Sequence, residues 1–338
     1  MNRTYSFIIP VFNRPDELSE LLETISSLEY REFEVIIVED GSSLRSEGVV
    51  NRHKDSFRVV YLDLPRSGPA IARNAGMKAS RGQYLLFVDS DCLIPAQYLT
   101  LIDNFLDENP LDVFGGPDRA SEEFNPVQKA ISYAMTSFLT TGGIRGGHKK
   151  IDRFYPRSFN MGISRGAYEN IGGYPVTRMH PGEDMVFSIE LIKRGFSSGL
   201  IPCAHVYHKR RTSFVTFFKQ VQGFGRTRYI ISRVYPETFR PFFLFPSLFL
   251  IGSIGLAALS LLVNFWFLTP ILAWMALIIL DASIKNRNIG IGIQSVGASL
   301  IQLFGYGLGF IMSWFNHAVA GRDEYGVFSK GFYRDSDF

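Results

Sequence analysis

No Asp, Glu, Lys or Arg occurs between residues 242 and 280. A run of that length confines the C-terminal third to helices that either span a bilayer or fill a buried core, and soluble cores rarely go so long without a charge. Asn264, Thr269 and Pro270 mark a break inside it. Each half approaches the roughly 20 apolar residues that a spanning helix needs. A third uncharged stretch, 289–315, is rich in Gly and holds Gln294 and Gln302, which suits either a third span or a re-entrant segment. The expected membrane region is therefore 242–316, with segments at 242–263, 265–284 and 289–315, followed by a tail at 317–338. Lys285 and Arg287 separate the second and third segments. With the basic block before the first, they put both flanks on the cytoplasmic side of the cytoplasmic membrane.

That basic block runs from Lys193 to Arg240, with ten Lys or Arg against a single acidic residue, Glu237, in a chain of net charge +3. Such a block suits phosphate or an anionic membrane surface. No nucleic-acid-binding motif accompanies it, so nucleic acid is not expected as a partner. Within it, residues 213–234 read as an amphipathic helix. Phe214, Phe217, Phe218, Val221 and Phe224 share one side, and Lys219, Arg226, Arg228 and Arg233 supply the charge. The region 211–241 then either lies in the lipid headgroups or packs on the N-terminal domain and lines its site. Cys92 and Cys203 make neither a disulfide framework nor a zinc spacing, which fits a reducing compartment. The chain starts on a strand-like segment, so no signal peptide is expected.

Residues 1–210 alternate strands and helices. Apolar runs at 6–11, 33–38, 58–62 and 84–88 read as strands, and 16–28 and 69–79 as helices. This βαβ rhythm predicts a mostly parallel sheet covered by helices on both faces. Ligands then bind beyond the C-terminal strand ends, at residues 10–14, Asp40, and Asp89 with Asp91. Asp89-Ser90-Asp91 delivers two carboxylates, one residue apart, at such an end. Hard divalent cations take oxygen ligands of this kind and often bridge them to nucleotide phosphates. Alone, the tripeptide equally suits solvated or capping carboxylates. Residues 141–150 (TGGIRGGHKK) read as a connector or as a lid over a phosphate.

SFIIPVFNR (6–14), VEDGS (38–42), GPAIARNAGMKASRG (68–82) and FVDSDC (87–92) occur in the order and spacing of family 2 glycosyltransferases. FNMGISRGAYENIGGY (159–174), GED (182–184) and HVYHKRR (205–211) carry the similarity to about residues 5–230. The chain resembles the membrane-attached branch of that family, which includes exopolysaccharide and lipid-linked glycan transferases. The resemblance implies a GT-A fold over 1–210, with C-terminal transmembrane helices after it. It implies inverting transfer from a nucleotide-diphosphate sugar to a hydroxyl of a polyprenyl- or lipid-linked glycan acceptor, with Mg2+ or Mn2+ as cofactor and membrane lipid as a further partner.

Site roles follow from the same resemblance. Pro10 and Val11 meet the base through their backbone, with Asn13 and Arg14 just beyond. Asp40 takes the base or ribose; Glu39 sits where the family often has Asp, so either carboxylate suits the contact, and Asp40 also suits a turn before Gly41. Arg73 and Asn74 border the nucleotide pocket, where Arg73 pairs with a phosphate or stacks near the base, unless it is a helix-surface arginine. Asp91 binds the metal directly, Asp89 touches ribose or a metal-bound water, and His208 is a further ligand, with His205 as its substitute. The cation neutralises the departing diphosphate. Asp184 removes the proton of the acceptor hydroxyl and Glu183 positions that acceptor, although both also suit the first turn of a helix. Asn160 and Arg165 shape the floor of the sugar site, and Gly172 with Gly173 makes a tight turn. Arg226 and Arg228 contact a diphosphate. Processive synthases carry Gln-x-x-Arg-Trp near the membrane. The corresponding region, with Gln220, Gln222, Arg226 and Arg228, lacks it, which points to non-processive addition. Two other readings compete. A nucleotidyltransferase needs a Gly-rich loop after the first strand, which residues 11–14 lack; a silent scaffold has no use for Asp89, Asp91 and Asp184 together.

Overall fold

The structure is a computed structural model, and it describes residues 3–119, 124–142, 154–176, 179 and 181–322. The described residues divide into two compact units, one within 1–121 and 152–208, the other within 122–142 and 209–322. The expected domain 1–210 thus shares its stretch of chain with the second unit, which takes up 122–142.

Along the chain run β1 (Tyr5–Val11), α1 (Pro15–Ser26), β2 (Phe33–Asp40), α2 (Glu47–Asn51), β3 (Arg58–Leu64), α3 (Pro69–Ala79), β4 (Tyr84–Val88), β5 (Cys92–Leu93), α4 (Tyr98–Glu108), β6 (Val113–Gly115) and β7 (Asp118–Arg119). Next come α5 (Pro126–Thr136), α6 (Phe138–Thr141), β8 (Asn160–Ser164), α7 (Arg165–Ile171), α8 (Glu183–Lys193), β9 (Ser198–Leu200) and β10 (Val206–His208). The C-terminal helices are α9 (Phe214–Val234), α10 (Phe245–Leu262), α11 (Thr269–Asn286) and α12 (Ile289–Ala318).

In the first unit, seven strands form a sheet in the order β3-β2-β1-β4-β8-β6-β9. The pairs β1–β2, β2–β3, β1–β4 and β6–β9 are parallel. The departure from parallel order is β8, antiparallel to both β4 and β6. Side chains alternate across a strand, and β1 shows why both faces are covered. Tyr5, Phe7, Ile9 and Val11 pack with Leu18, Leu21, Leu22 and Ile25 of α1. Ile8 packs on the other face with Ala70 and Met77 of α3 and Phe187 and Leu191 of α8. The chain runs outward from β1 to β2 and β3, then returns to place β4 on the other side of β1. A sheet leaves a ligand crevice beyond the C-terminal ends of its strands at such a reversal. Phe12, Asp89 and Asp91 follow those two strand ends. A second, three-stranded sheet, β5-β10-β7, pairs His208 with Cys92.

In the second unit, Ser213 caps α9 by accepting from the Thr216 N–H at 3.2 Å. Protein covers part of the apolar side of α9. Phe217 and Val221 are fully buried with Ala130, Ile131, Ala134 and Met135 of α5 and Ala298 of α12. A Cβ on Gly225 would lie 2.1 Å from the Tyr306 carbonyl oxygen, so the α9 and α12 backbones touch. Pro241–Leu262, Phe265–Asn286 and Ile289–Ala318 are long and apolar enough to cross a membrane, and their bounds follow the expected segments. Few residues of the first two are buried in protein, whereas nearly half of the third are.

Candidate active site

Two neighbouring carboxylates at the end of β2 divide into separate roles, because successive side chains of a strand point to opposite faces. Glu39 is fully buried. Its carboxylate accepts from the Ser42 hydroxyl, from the Ser46 N–H at 2.8 Å and from the Tyr61 hydroxyl at 3.0 Å. That removes Glu39 from the expected nucleotide contacts, since it has no face toward a ligand. Asp40 accepts from the Ser67 N–H at 2.6 Å and the Gly68 N–H at 3.1 Å, with Arg66 Nη1 3.4 Å away. Gly41 permits this approach. Its φ is +68°, and a Cβ would lie 2.4 Å from the Arg66 nitrogen. The Arg66 guanidinium lies 3.3 Å over the Phe12 ring, a flat cation–aromatic pair beside Asp40. Pro10 and Val11 close β1 opposite Val38 and Glu39. Asn13, at φ +53°, accepts from the Ser43 and Leu44 N–H groups at 2.8 and 2.9 Å. Its side-chain oxygen thus ties the loop after β1 to the loop after β2.

At the end of β4, Asp91 Oδ2 accepts from Arg14 Nη1 at 2.6 Å. Arg14 is therefore engaged by a carboxylate. The other oxygen, Asp91 Oδ1, is buried and lies 3.2 Å from His208 Nε2 in a geometry that is not a hydrogen bond. The His208 ring stacks on Phe159 with centroids 5.0 Å apart. Burial alone would raise the Asp91 carboxyl, but His208 and Arg14 outweigh it and hold the group well below its ordinary 3.8. Asp91, Cys92 and His208 offer ligand atoms within 4.8 Å of one another. Burial pushes the Cys92 thiol well up, so it stays protonated, and a thiol is a poor ligand for a hard cation. Asp91 and His208 therefore fit a divalent cation. Asp89 stands outside this cluster of ligand atoms, and its Oδ1 accepts from Arg73 Nη2 at 3.0 Å.

Arg73 is buried on α3, and it does not reach outward to a phosphate or base as expected. Its Nη2 meets Asp89, and its Nη1 lies 3.3 Å from Glu183 Oε1. Burial would lower its pKa, but Asp89, Tyr174 and Glu183 more than offset this and keep it charged. Beside it, Asn74 donates to the Tyr174 carbonyl at 3.0 Å and accepts from the Tyr174 N–H at 2.7 Å. Both ends of its amide are used, so Asn74 too is a brace and not a nucleotide contact. Gly173, at φ +128°, makes that approach possible, since a Cβ there would lie 2.6 Å from Asn74 Oδ1. The Tyr174 ring stacks on Phe187 of α8 at 3.9 Å. Glu183 is buried, and its Oε2 accepts from the Gly182 N–H at 3.0 Å. It is held inside the protein rather than presented to an acceptor. Asp184 is 18% exposed and faces Arg157 Nη1 at 3.3 Å. Its Oδ1 also accepts from the Met185 N–H at 2.7 Å, and the first turn of α8 favours its negative charge.

Residues 6–172 match the family model for glycosyl transferase family 2. The chain carries a glycosyl transferase family 2 domain. An uncharacterized glycosyltransferase of Rickettsia bellii is 28% identical over 243 residues, 70% of this chain and 34% of that protein. The pre-mycofactocin glycosyltransferase of Mycobacterium tuberculosis is 29% identical over 249 residues, 71% of this chain and 50% of that protein. The chain thus spans half or less of the length of these relatives. A mannosyltransferase of Pyrobaculum calidifontis, solved in complex with GDP-Man and Mn2+, shares the fold at a TM-score of 0.53 and 16% identity, over 97% of this chain and 84% of that one. The fold is GT-A, a mostly parallel sheet flanked by helices.

Three expected residues of the glycosyltransferase domain have other work. Asn160 is buried, accepts from the Tyr98 hydroxyl at 2.6 Å and donates to the Ala204 carbonyl at 2.8 Å. It joins three segments and leaves no polar atom for a sugar. Asn160→Ala strands both partners and is expected to destabilise by about 2 kcal/mol without changing donor affinity, as a thermal melt beside a donor titration would read. Arg165 lies at the opposite edge of the sheet, because β8 runs antiparallel from Asn160 opposite Val88 to Ser164 opposite Tyr84. It donates to the Gly82 carbonyl at 2.8 Å and the Ser80 hydroxyl at 3.1 Å. His205 Nδ1 lies 3.3 Å from the Cys203 carbonyl and is not among the clustered ligand atoms. Arg226 belongs to the second unit, where its Nη2 donates to Gln222 Oε1 at 3.2 Å. Of the candidate lid at 141–150, residues 143–150 lie outside the described residues. The structure adds Arg66, Arg157 and Phe159, none of which the sequence reading gives a role, and gives Phe12, within the expected 10–14, a partner in Arg66. Arg66 has the clearest signal, a cation in the short loop between β3 and α3.

Proposed function

We propose that the chain transfers a sugar, with inversion and without processivity, from a nucleoside-diphosphate sugar to a hydroxyl of a glycan or lipid-linked acceptor at a cytoplasmic membrane surface. One observation carries the reading. Beyond the ends of β1 and β4, the cation-competent pair Asp91 and His208 shares an edge with a charged cluster, Asp89–Arg73–Glu183, that ends on the partly exposed Asp184. The flat Phe12–Arg66 pair beside Asp40 suits a planar nucleobase. Asp89 keeps a third of its side chain exposed, which suits a contact with the ribose. Asp91 and His208 would hold a divalent cation, and a mixed carboxylate and imidazole set suits Mn2+ better than Mg2+. When bound, the cation neutralises charge on the diphosphate as the glycosidic bond breaks. Asp184 takes the proton of the attacking hydroxyl on the face opposite the diphosphate. The apolar helices α10 to α12 anchor the chain in the bilayer, and Arg226 and Arg228 meet anionic headgroups or a lipid-linked diphosphate.

The names of the relatives and the GDP-Man and Mn2+ complex of a fold neighbour agree with this reading. The test is nucleotide release by the purified chain in detergent, over a panel of UDP-, GDP- and dTDP-sugars with Mn2+. Release from one donor class supports transfer, and binding without release from any donor would support a silent scaffold. Two substitutions then separate the β2 carboxylates. Asp40→Asn is expected to raise the donor KM by about tenfold or more. Glu39→Gln leaves KM in place and lowers stability by about 1–3 kcal/mol.

A further inference from the structure

We infer that Arg73 is a positioning residue, tying Asp89 at the end of β4 to the first turn of α8 so that Asp184 is held in place for the acceptor. This rests on the reading of Asp184 as the base, and it departs from the usual expectation of an arginine here in contact with nucleotide. The Arg73 side chain is only 5% exposed. Its Nη2 is given to Asp89 at 3.0 Å and its Nη1 to Glu183 at 3.3 Å. The Nε is buried as well and faces no acceptor, so the guanidinium is turned into the protein and away from the surface where a phosphate would lie. The Tyr174 ring lies 5.5 Å below the guanidinium and stacks on Phe187 of α8. Asn74, the next residue of α3, grips the Tyr174 backbone from both sides. The helix end that carries Asp184 is therefore held by the charge of Arg73 on Glu183, and by Arg73 and Asn74 through Tyr174.

Electrostatics gives the tie its force. Without Arg73, the buried Glu183 carboxylate loses its countercharge, and a buried unpaired charge is strongly unfavourable. Asp89 and Asp184 add like charge to the same cluster. The first turn of α8 then moves, and a displacement of about 1 Å at a reacting group reduces turnover about 10²-fold. Asp89 touches the donor in this reading, so the same guanidinium joins the donor side of the site to the acceptor side.

The experiment compares Arg73→Met, Arg73→Lys, Glu183→Gln and the double variant Arg73→Met with Glu183→Gln. Each is assayed by nucleotide release with Mn2+ and the UDP-, GDP- or dTDP-sugar that the unmodified chain turns over. Arg73→Met is expected to lower kcat about 10²-fold with the donor KM within about threefold. The double variant removes both charges of a buried pair, and it is expected to match Arg73→Met within a few-fold and to stay well below the unmodified chain. Arg73→Lys keeps the charge and is expected to recover about tenfold of the loss; it also serves if Arg73→Met fails to fold. A raised donor KM with kcat kept would make Arg73 a nucleotide contact and overturn the inference. Independent, multiplying losses in the double variant would overturn it too, and so would full activity there, which would leave only a folding role. Asp184→Asn is run beside them. Turnover retained in that variant would remove the base itself, a failure distinct from any pattern at Arg73.

Discussion

Asp184→Asn is expected to reduce sugar transfer about 10³-fold or more while the nucleotide sugar still binds. The substitution is nearly isosteric. The amide oxygen still accepts from the Met185 N–H, which is 2.7 Å from Asp184 Oδ1, so the start of α8 keeps its local shape. What disappears is the ability to take a proton and the ion pair with Arg157. That pair is partly solvated, with Arg157 34% exposed, so its loss contributes little to stability. A loss confined to kcat identifies a group used in the transition state alone, whereas a loss confined to KM would mean that Asp184 only helps to bind. Donor titration and single-turnover nucleotide release together read the difference. Glu183 gives the contrast inside the same turn. Buried and held by Arg73, Glu183→Gln loses turnover through the position of α8, and it lowers the melting temperature as well.

The second large effect belongs to Asp91. Asp91→Asn is expected to abolish Mn2+ dependence and to lower kcat/KM about 10³-fold. Asp91 supplies the carboxylate of the only cation-competent group among the described residues that also holds an imidazole. Binding of Mn2+ to the folded chain raises its melting temperature in proportion to RT ln(1 + [L]/Kd). That rise should vanish in Asp91→Asn and shrink in His208→Ala, and chelation should remove activity from the unmodified chain. Acid stability follows the same carboxylate. The folded pKa of Asp91 lies below 3.8, so its stabilisation is fully present above that pH. It is lost as the pH falls through the depressed folded value. Acid melts of the unmodified chain and of Asp91→Asn should therefore converge only toward that low pH.

What the sequence makes legible here is what local pattern dictates. The apolar runs and helical spacings place β1, α1, β2, β3, α3 and β4 with ends within a few residues of those observed. The lack of charge over 242–280 marks two of the three long apolar helices, and 289–315 the third. Asp40, Asp89 and Asp91 stand at strand ends because a parallel sheet offers its loops there. Partners brought from far along the chain are not legible. Arg73 meets Glu183 across 110 positions, and Asn74 meets Tyr174 across 100, so residues that look like ligand contacts in a motif prove to be braces. Strand parity separates Glu39 from Asp40. Only the tertiary neighbours Ser46 and Tyr61 reveal that Glu39 is the one turned inward. Arg165 fails for a topological reason, since the antiparallel insertion of β8 carries it to the wrong edge. The aromatic side of α9 reads equally as a headgroup-facing or a protein-packed surface, because amphipathicity records that a face is covered without recording by what. Here α5 and α12 cover it.

In the proposed reaction, Asp184 and the departing diphosphate lie on opposite faces of one sugar, so transfer inverts the anomeric centre. The anomer first released in donor hydrolysis tests this most directly, followed by proton NMR within seconds of mixing an α-linked nucleotide sugar with the chain and Mn2+. The β anomer appearing first, with the α anomer growing in only as the free sugar mutarotates, is the predicted result. The α anomer appearing first would mean retention, which a single base at Asp184 cannot produce.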